Sequence, residues 1–317
     1  MPSRIHPRLA ALAVSLAVAG IAAHDARAQD CLHWGDLDKT LYCDENRDLV
    51  ADTPQQGYRL ADPDTLVFVR AAADDLLPDE KAFAGFVAHL EKTTGKKVRW
   101  SSVASSADQI KAMRAGETHL AAVSPGPTVY AVNLAGYVPL AVMCTDDGTF
   151  GNSIQLVTAK TSAIDGPTGL DGRTLARVSA LANSGGLQAN GVRTVFTDSE
   201  SKAITGAADG SYDAALINAE VLDRARVRGV AGAGDAKVVW ESGGFPPTSF
   251  GFAYNLAPDL QRRIHDAFLT FDWSGTPLGR AAGERAGKFC TVSYEETWES
   301  IRLLQKESGV VYDIKDL

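Results

Sequence analysis

The chain has 317 residues, 45% of them hydrophobic and 22% charged, with a formal charge of −8 and four cysteines. That length and apolar content exclude a disordered chain and, at about 100–200 residues per domain, give two domains as the expectation. The acidic balance argues against a broad nucleic-acid footprint. Cys31, Cys43, Cys144 and Cys290 contain no C-x₂₋₄-C pair, which argues against a zinc module.

Residues 1–28 read as a secretory signal peptide. Arg4, His6 and Arg8 make a basic start, an apolar run spans Leu9 to Ala23, and Ala26-Arg27-Ala28 is a small-x-small cleavage site before Gln29. The apolar run is shorter than the roughly 20 residues a membrane span needs. The leader's three arginines and one aspartate carry +2, so the mature chain is expected at −10.

Residues 29–63 show no sustained periodicity and read as an irregular extension. "DENRDLVAD" within it lacks the spacing and glycine of an EF-hand loop and reads as a solvated turn. In an oxidising compartment four cysteines suggest two disulfides, with three pairings open. Cys31–Cys43 would staple the extension and Cys144–Cys290 would tie distant segments. The alternative leaves Cys144 a free thiol near a cleft.

From residue 64 strands and helices alternate. Strands are expected at Thr65–Arg70, Lys97–Ser101, His119–Val123 and Tyr137–Met143. Helices are expected at Asp79–Thr93, where Phe83, Phe86, Val87 and Leu90 keep helical spacing, at Ser106–Ala115 and at Pro127–Ala135. A second series begins near Ser153. Its strands are Ile154–Ala159, Thr174–Val178, Thr194–Phe196, Asp213–Ile217, Val238–Trp240 and Phe250–Tyr254, and its helices are Ser199–Ala208 and Ala219–Arg228. The tail carries three helical patterns, Pro258–Phe271, Pro277–Ala286 and Tyr294–Glu307. The expected fold class is α/β with two lobes: lobe 1 from 64–153 plus 245–317, lobe 2 from 154–244, joined by a two-strand hinge. Ligands in such folds bind where strand C-termini meet helix N-termini.

Signatures of catalysis are scarce: the sequence has no G-x-S-x-G, no P-loop and no H-E-x-x-H. His33, His89, His119 and His265 do not pair at ligand spacing and read as structural or solvated. The chain is therefore not expected to be an enzyme, and no metal or cofactor is expected. The informative features are two strand-to-helix turns, Ser124-Pro125-Gly126-Pro127-Thr128-Val129-Tyr130 and Ala182-Asn183-Ser184-Gly185-Gly186. Both also fit ordinary capping and turn chemistry.

Five blocks in order carry a family resemblance: "DQIKAMRAGETHLAAVSPGPTVYAVN", "GLDGRTLA", "ANSGGL", "GSYDAALINAEVLDR" and "FPPTSFGFAYNLAPDLQRRIHDAF". Together they resemble the phosphate/phosphite/phosphonate-type substrate-binding proteins of ABC transporters, from about residue 64 to 310. The resemblance implies a type II periplasmic binding fold whose lobes close on a ligand. It also implies site positions: Tyr130 at the family's cleft tyrosine, and Asn183, Ser184 and Gly185 at its anion loop, here without the Ser-Thr-Ser run common in the family. Glu220 matches a position that holds a ligand ammonium group in aminophosphonate binders, and Thr248 one where those binders can carry an aspartate.

Glu200 stands where the family often has a histidine on the oxyanion. A carboxylate against an anion is repulsive, about 4 kcal/mol at 4 Å with an effective dielectric near 20. Glu200 is then protonated, or turned to solvent, or the ligand is not a phosphonate dianion. Arg70, at the end of the first strand, is the candidate for compensating charge. The resemblance implies a periplasmic, monomeric protein that captures a small oxyanion and hands it to an ABC permease. The alternative is a sensor of the same fold, arsenite- or oxyanion-responsive, docked on a membrane histidine kinase. No nucleic-acid partner is expected.

Overall fold

The alternating strands and helices pair, in the computed structural model, into two separate sheets. The structure describes residues 31–55, 60–72, 74, 78–178, 187, 189–282 and 286–317; the expected leader and Asn183, Ser184 and Gly185 lie outside them.

In the first sheet β1 (Thr65–Ala71) runs parallel to β2 (Lys97–Val103) and to β3 (Leu120–Val123). β10 (Ser249–Ala253) inserts antiparallel between β3 and β4 (Tyr137–Cys144), and β11 (Lys288–Thr291) closes the edge against β4. The second sheet has the order β7 (Arg193–Phe196), β6 (Thr174–Arg177), β8 (Ala214–Asn218), β5 (Ile154–Ala159), β9 (Ala236–Glu241). The chain therefore crosses between sheets twice, after β4 and before β10. The two crossings pair with each other at Asn152 and Phe245, each N–H donating to the other's carbonyl at 2.6 and 2.5 Å. This is an α/β fold of two lobes joined by a two-strand hinge.

Most helices form where their sequences predict, for visible reasons. α1 (Glu80–Thr94) starts at Asp79, whose carboxylate accepts from the Ala82 N–H, and stops at Gly95 in the left-handed region. Its buried face, Phe83, Phe86 and Leu90, packs into an aromatic core in which Phe83 lies 5.8 Å from Phe250 and Phe86 4.7 Å from Phe268, centroid to centroid. Each such side chain contributes about 1.5–3 kcal/mol by burial. The lobe-2 core is built instead from small and aliphatic residues, among them Val157, Ala203, Ile204 and Leu222, between its sheet and α4 (Glu200–Asp209) and α5 (Ala219–Val227).

Four features differ from the sequence expectation. β11 carries no alternating pattern and is defined only by its pairing with β4. α3 (Pro125–Ala135) begins two residues early, and all eleven of its residues are buried, so it has no polar stripe to mark its limits. The helix expected over Tyr294–Glu307 breaks at Trp298 into α8 (Tyr294–Thr297) and α9 (Glu299–Glu307). Trp298 is fully buried, and its indole N–H donates to the Pro125 carbonyl at 3.1 Å. Finally, "DENRDLVAD" is not solvated throughout: Asp44 is fully buried and accepts from the N–H groups of Arg47 and Leu49.

Residues 31–55 contain no helix or strand, as expected, yet they are fastened to lobe 1. Arg114, the last residue of α2 (Ser106–Arg114), pairs with Asp38 at 2.8 Å, and the Tyr42 hydroxyl donates to the Leu134 carbonyl. The Tyr42 ring meets Tyr254 edge-on at 5.0 Å. Both rings crowd Gly136, where a Cβ would lie 2.5 Å from Tyr254 and 2.9 Å from Tyr42, and whose φ of +62° already favours glycine. Cys31 and Cys43 form a disulfide, as do Cys144 and Cys290 across β4 and β11. The free-thiol alternative for Cys144 is thereby overturned.

Candidate ligand-binding cleft

A cavity of about 50 Å³ lies between the lobes. One water requires about 10–15 Å³ on this measure, so the space suits a few heavy atoms. Lobe 1 supplies Asp74, Ser106, Ser124 and the Pro125-Gly126-Pro127 turn; lobe 2 supplies Val178, Glu200, Leu216, Ile217 and Asn218. These are strand C-termini and helix N-termini. Ser124 follows β3 and opens α3, Val178 follows β6, Asn218 ends β8 and opens α5, Ser106 begins α2 and Glu200 begins α4. Topology has brought together the positions where an α/β sheet binds its ligand.

The α3 turn is unusual as an anion site. Pro125 and Pro127 have no N–H, so Gly126 offers the only backbone donor among the first three helical residues. Ser124 precedes the helix without capping it; its hydroxyl donates instead to Asp74 Oδ2 at 2.9 Å. The chain places its positive charge elsewhere. Arg70, near the end of β1, donates from Nη1 to the Asp74 carbonyl at 2.7 Å, and Arg224 on α5 donates from Nη1 to Glu220 Oε2 at 3.2 Å. Arg70 Nε and both Nε and Nη2 of Arg224 are buried and have no hydrogen-bond partner among the described residues. Leaving such donors unsatisfied costs about 1–3 kcal/mol each, more for charged groups.

Acid faces these arginines. Asp74 is buried, and desolvation pushes its pKa up to about 6, against the lowering effects of the Ser124 hydrogen bond and the charges of Arg70 and Arg224; Glu220 raises it further. Glu220 also accepts from the Thr248 hydroxyl at 3.4 Å, and Thr248 is buried. Burial works to lower the Arg224 pKa, but the charges of Glu220, Glu200 and Asp74 outweigh it and hold that guanidinium above its ordinary value. Carboxylates from both lobes therefore act on one arginine.

Of the residues singled out from the sequence, only Glu200 is among those lining the cavity; Arg70 lies beside it through its bond to the Asp74 carbonyl, and Glu220, with Thr248, through the field it exerts on Asp74. Glu200 lines the cavity and is buried, so the reading in which it turns to solvent fails. Tyr130 is not among the residues lining the cavity; it is buried in the lobe-1 core with its ring edge-on to Tyr312 at 5.0 Å. Asn183, Ser184 and Gly185 lie outside the described residues. Asp74 and Arg224 escape sequence reasoning: Asp74 follows a strand without a motif. Arg224 had one local signal, its i,i+4 spacing from Glu220.

Three histidines among the described residues, His33, His89 and His119, make structural contacts, and His265 is a partly exposed residue beside Asp266. His119 Nδ1 accepts from the Val67 N–H, and burial, assisted by Arg99, lowers its pKa. His33 contacts the Tyr42 carbonyl and His89 the Thr270 hydroxyl. Among the described residues no group of three or more His, Cys, Asp or Glu stands where it could hold a metal, and no helix is long and apolar enough to cross a membrane.

A family model described as "ABC transporter, phosphonate, periplasmic substrate-binding protein" matches residues 78–289. A curated relative, the phosphate-import protein PhnD of Mycolicibacterium smegmatis, is 23% identical over 290 residues, covering 84% of this chain and 90% of its own. Two solved structures share the fold. A binding protein component of an ABC phosphonate transporter from Pseudomonas aeruginosa has a TM-score of 0.66 at 19% identity, covering 77% of this chain and 86% of its own. PhnD1 from Prochlorococcus marinus in complex with methylphosphonate has a TM-score of 0.65 at 15% identity, covering 78% and 99%.

Proposed function

The chain belongs to the family of periplasmic phosphonate substrate-binding proteins of ABC transporters, and from that membership we propose that it is an exported receptor for a small phosphorus oxyanion. Phosphate, phosphite or a short phosphonate enters between the lobes, the hinge closes, and the loaded protein presents its ligand to a membrane permease. The observation that carries this reading is the small interlobe cavity together with the buried guanidinium N–H groups of Arg70 and Arg224 near it, which have no acceptor among the described residues. An oxyanion supplies acceptors on several sides and would satisfy donors from both lobes at once.

In this proposal residues 64–153 and 245–317 form lobe 1 and residues 154–244 lobe 2. Arg70 and Glu220, with Thr248 supporting Glu220, belong to the binding machinery, as do Asn183, Ser184 and Gly185. Tyr130 supports the α3 wall from behind. The leader is removed before Gln29, and the mature protein works as a monomer outside the cytoplasm.

A thermal-shift and calorimetric screen at pH 7 against phosphate, phosphite, methylphosphonate, aminoethylphosphonate, sulfate and small carboxylates tests the ligand class. At least one phosphorus oxyanion should raise the melting temperature and bind with 1:1 stoichiometry; a ligand at 100 times its Kd adds about 2.7 kcal/mol of stability. No response to any phosphorus oxyanion at millimolar concentration would exclude this function.

A further inference from the structure

We propose that lobe 1 carries a second ligand site, apart from the interlobe cavity, that takes a small aliphatic α-amino acid as its zwitterion. This inference stands independently of the oxyanion reading.

A cavity of about 180 Å³ lies where the N-terminal extension meets the C-terminal helical segment, beside the end of α3. At about 10–15 Å³ for one water on this measure, it has room for about ten heavy atoms. Its lining shares no residue with the interlobe cavity. Asn133, which lines it, lies about 12 Å along α3 from Pro125. Two polar side chains of the lining are buried and unpartnered. Asn133 is 3% exposed, and its amide hydrogen-bonds to none of the described residues. Tyr294 is 5% exposed, and its hydroxyl has no hydrogen-bond partner among them either. Buried polar groups in folded proteins are nearly always hydrogen-bonded, so two orphans on one cavity mark a place for a polar ligand.

The charges around this cavity balance. Glu299, Arg302 and Lys306 line it from one face of α9, and the extension adds Asp36. None of the four forms an ion pair among the described residues. Arg302 donates from Nη1 and Nη2 to the Tyr294 and Glu295 carbonyls, which fixes its guanidinium without neutralising it. Two acids and two bases suit a ligand with one charge of each sign. Its ammonium goes to Asp36 and Glu299, and its carboxylate to Arg302 and Lys306. The Asn133 amide serves both ends, since its NH₂ donates and its oxygen accepts, and the Tyr294 hydroxyl donates to the carboxylate. A simple oxyanion would meet two carboxylates here, and a simple cation would meet two bases. Leu49 and Leu303 also line the space and give an aliphatic side chain its apolar contact. Of these residues only Asn133 falls within the stretch 78–289 that the family model matches, so the site is built mainly by the flanking segments.

The test is calorimetric titration of the mature protein at pH 7 with L-valine and L-leucine, and with the N-acetyl and carboxamide forms of each. At least one of the free amino acids should bind with 1:1 stoichiometry. Its two blocked forms should bind at least about 10-fold more weakly, because each leaves charged groups of the site unpaired. Arg302→Gln and Asn133→Ala should each weaken that amino acid by about 10-fold or more. Asp36→Asn, at an exposed position, should narrow the gap between the free and N-acetyl forms; it serves if either of the other variants does not melt cooperatively. Millimolar phosphate should leave the affinity unchanged. No binding of either amino acid at millimolar concentration, blocked forms that bind as tightly, displacement by phosphate, or an affinity unchanged in all three variants would overturn this site. Amino-acid binding that follows the expected pattern in a protein indifferent to every phosphorus oxyanion would leave this site standing and remove the receptor reading.

Discussion

Asp74 combines features that rarely occur together at one residue: it is buried, it accepts from Ser124, and it lies within the fields of Arg70 and Arg224 while Glu220 opposes them. Burial wins, and the carboxyl titrates at about 6 instead of 3.8. Between those two values the folded protein keeps a proton that the unfolded chain has already released. The contribution of Asp74 to stability therefore falls as pH rises through that window, and above about pH 6 the full cost is present, at most about 3 kcal/mol. Asn at this position keeps the acceptor for Ser124 and removes the charge. The ligand-free Asp74→Asn protein should melt higher than wild type at pH 7.5, with the difference shrinking towards zero near pH 4. Melting curves across that range, in oxyanion-free buffer, check it; a difference independent of pH would contradict the assignment.

At the scale of elements, the cleft wall formed by α3 depends on distant parts of the chain. The indole of Trp298 and the Gln305 amide, from the break and body of the C-terminal helical segment, donate to the Pro125 and Gly126 carbonyls, so the tail holds the turn that lines the cavity. β11 brings that tail back, and its disulfide to β4 closes a sequence separation of 146 residues, against 12 for Cys31–Cys43. In the chain-entropy account the longer loop stabilises more. Replacing Cys144 and Cys290 by Ala should cost about 2–5 kcal/mol and move the urea midpoint further than replacing Cys31 and Cys43. Equal losses from the two pairs would show that loop entropy is not what the long bridge supplies.

The whole molecule is two sheets connected by two strands that bond to each other at Asn152 and Phe245; each sheet has a core cluster of its own, and a third buried apolar cluster runs from Val129 and Tyr130 in the first lobe to Leu156 and Leu175 in the second. With few covalent crossings and polar, charged groups facing each other over the gap, opening and closing about that pair is the motion the architecture favours. Export belongs to this scale as well. Native mass spectrometry of the protein recovered from the extracytoplasmic fraction should give a single copy beginning at Gln29. A mass that retains the first 28 residues, or a stable dimer at micromolar concentration, would contradict the proposed processing or the monomer.

Much of this fold was legible along the chain because its signals are local. Asp79 and Gly95 cap a helix, Phe83, Phe86 and Leu90 mark its inner face, and the alternation of apolar strands with helices gave the α/β class. Ordered motifs carried the family. What local patterns lacked, the sheets supplied: β11 exists only through β4, α3 is buried on every side, and Trp298 interrupts a helix to reach a carbonyl far back in the sequence. The site divides in the same way. Arg70, Glu200, Glu220 and Thr248 were marked by position or resemblance. Asp74 and Arg224 carry no motif, because a buried charge acquires its chemistry from neighbours that only folding assembles. Sequence alone determined most of the elements, the class and the family; the balance of charge inside the cleft was decided by tertiary structure, since it arises where two lobes distant in sequence meet.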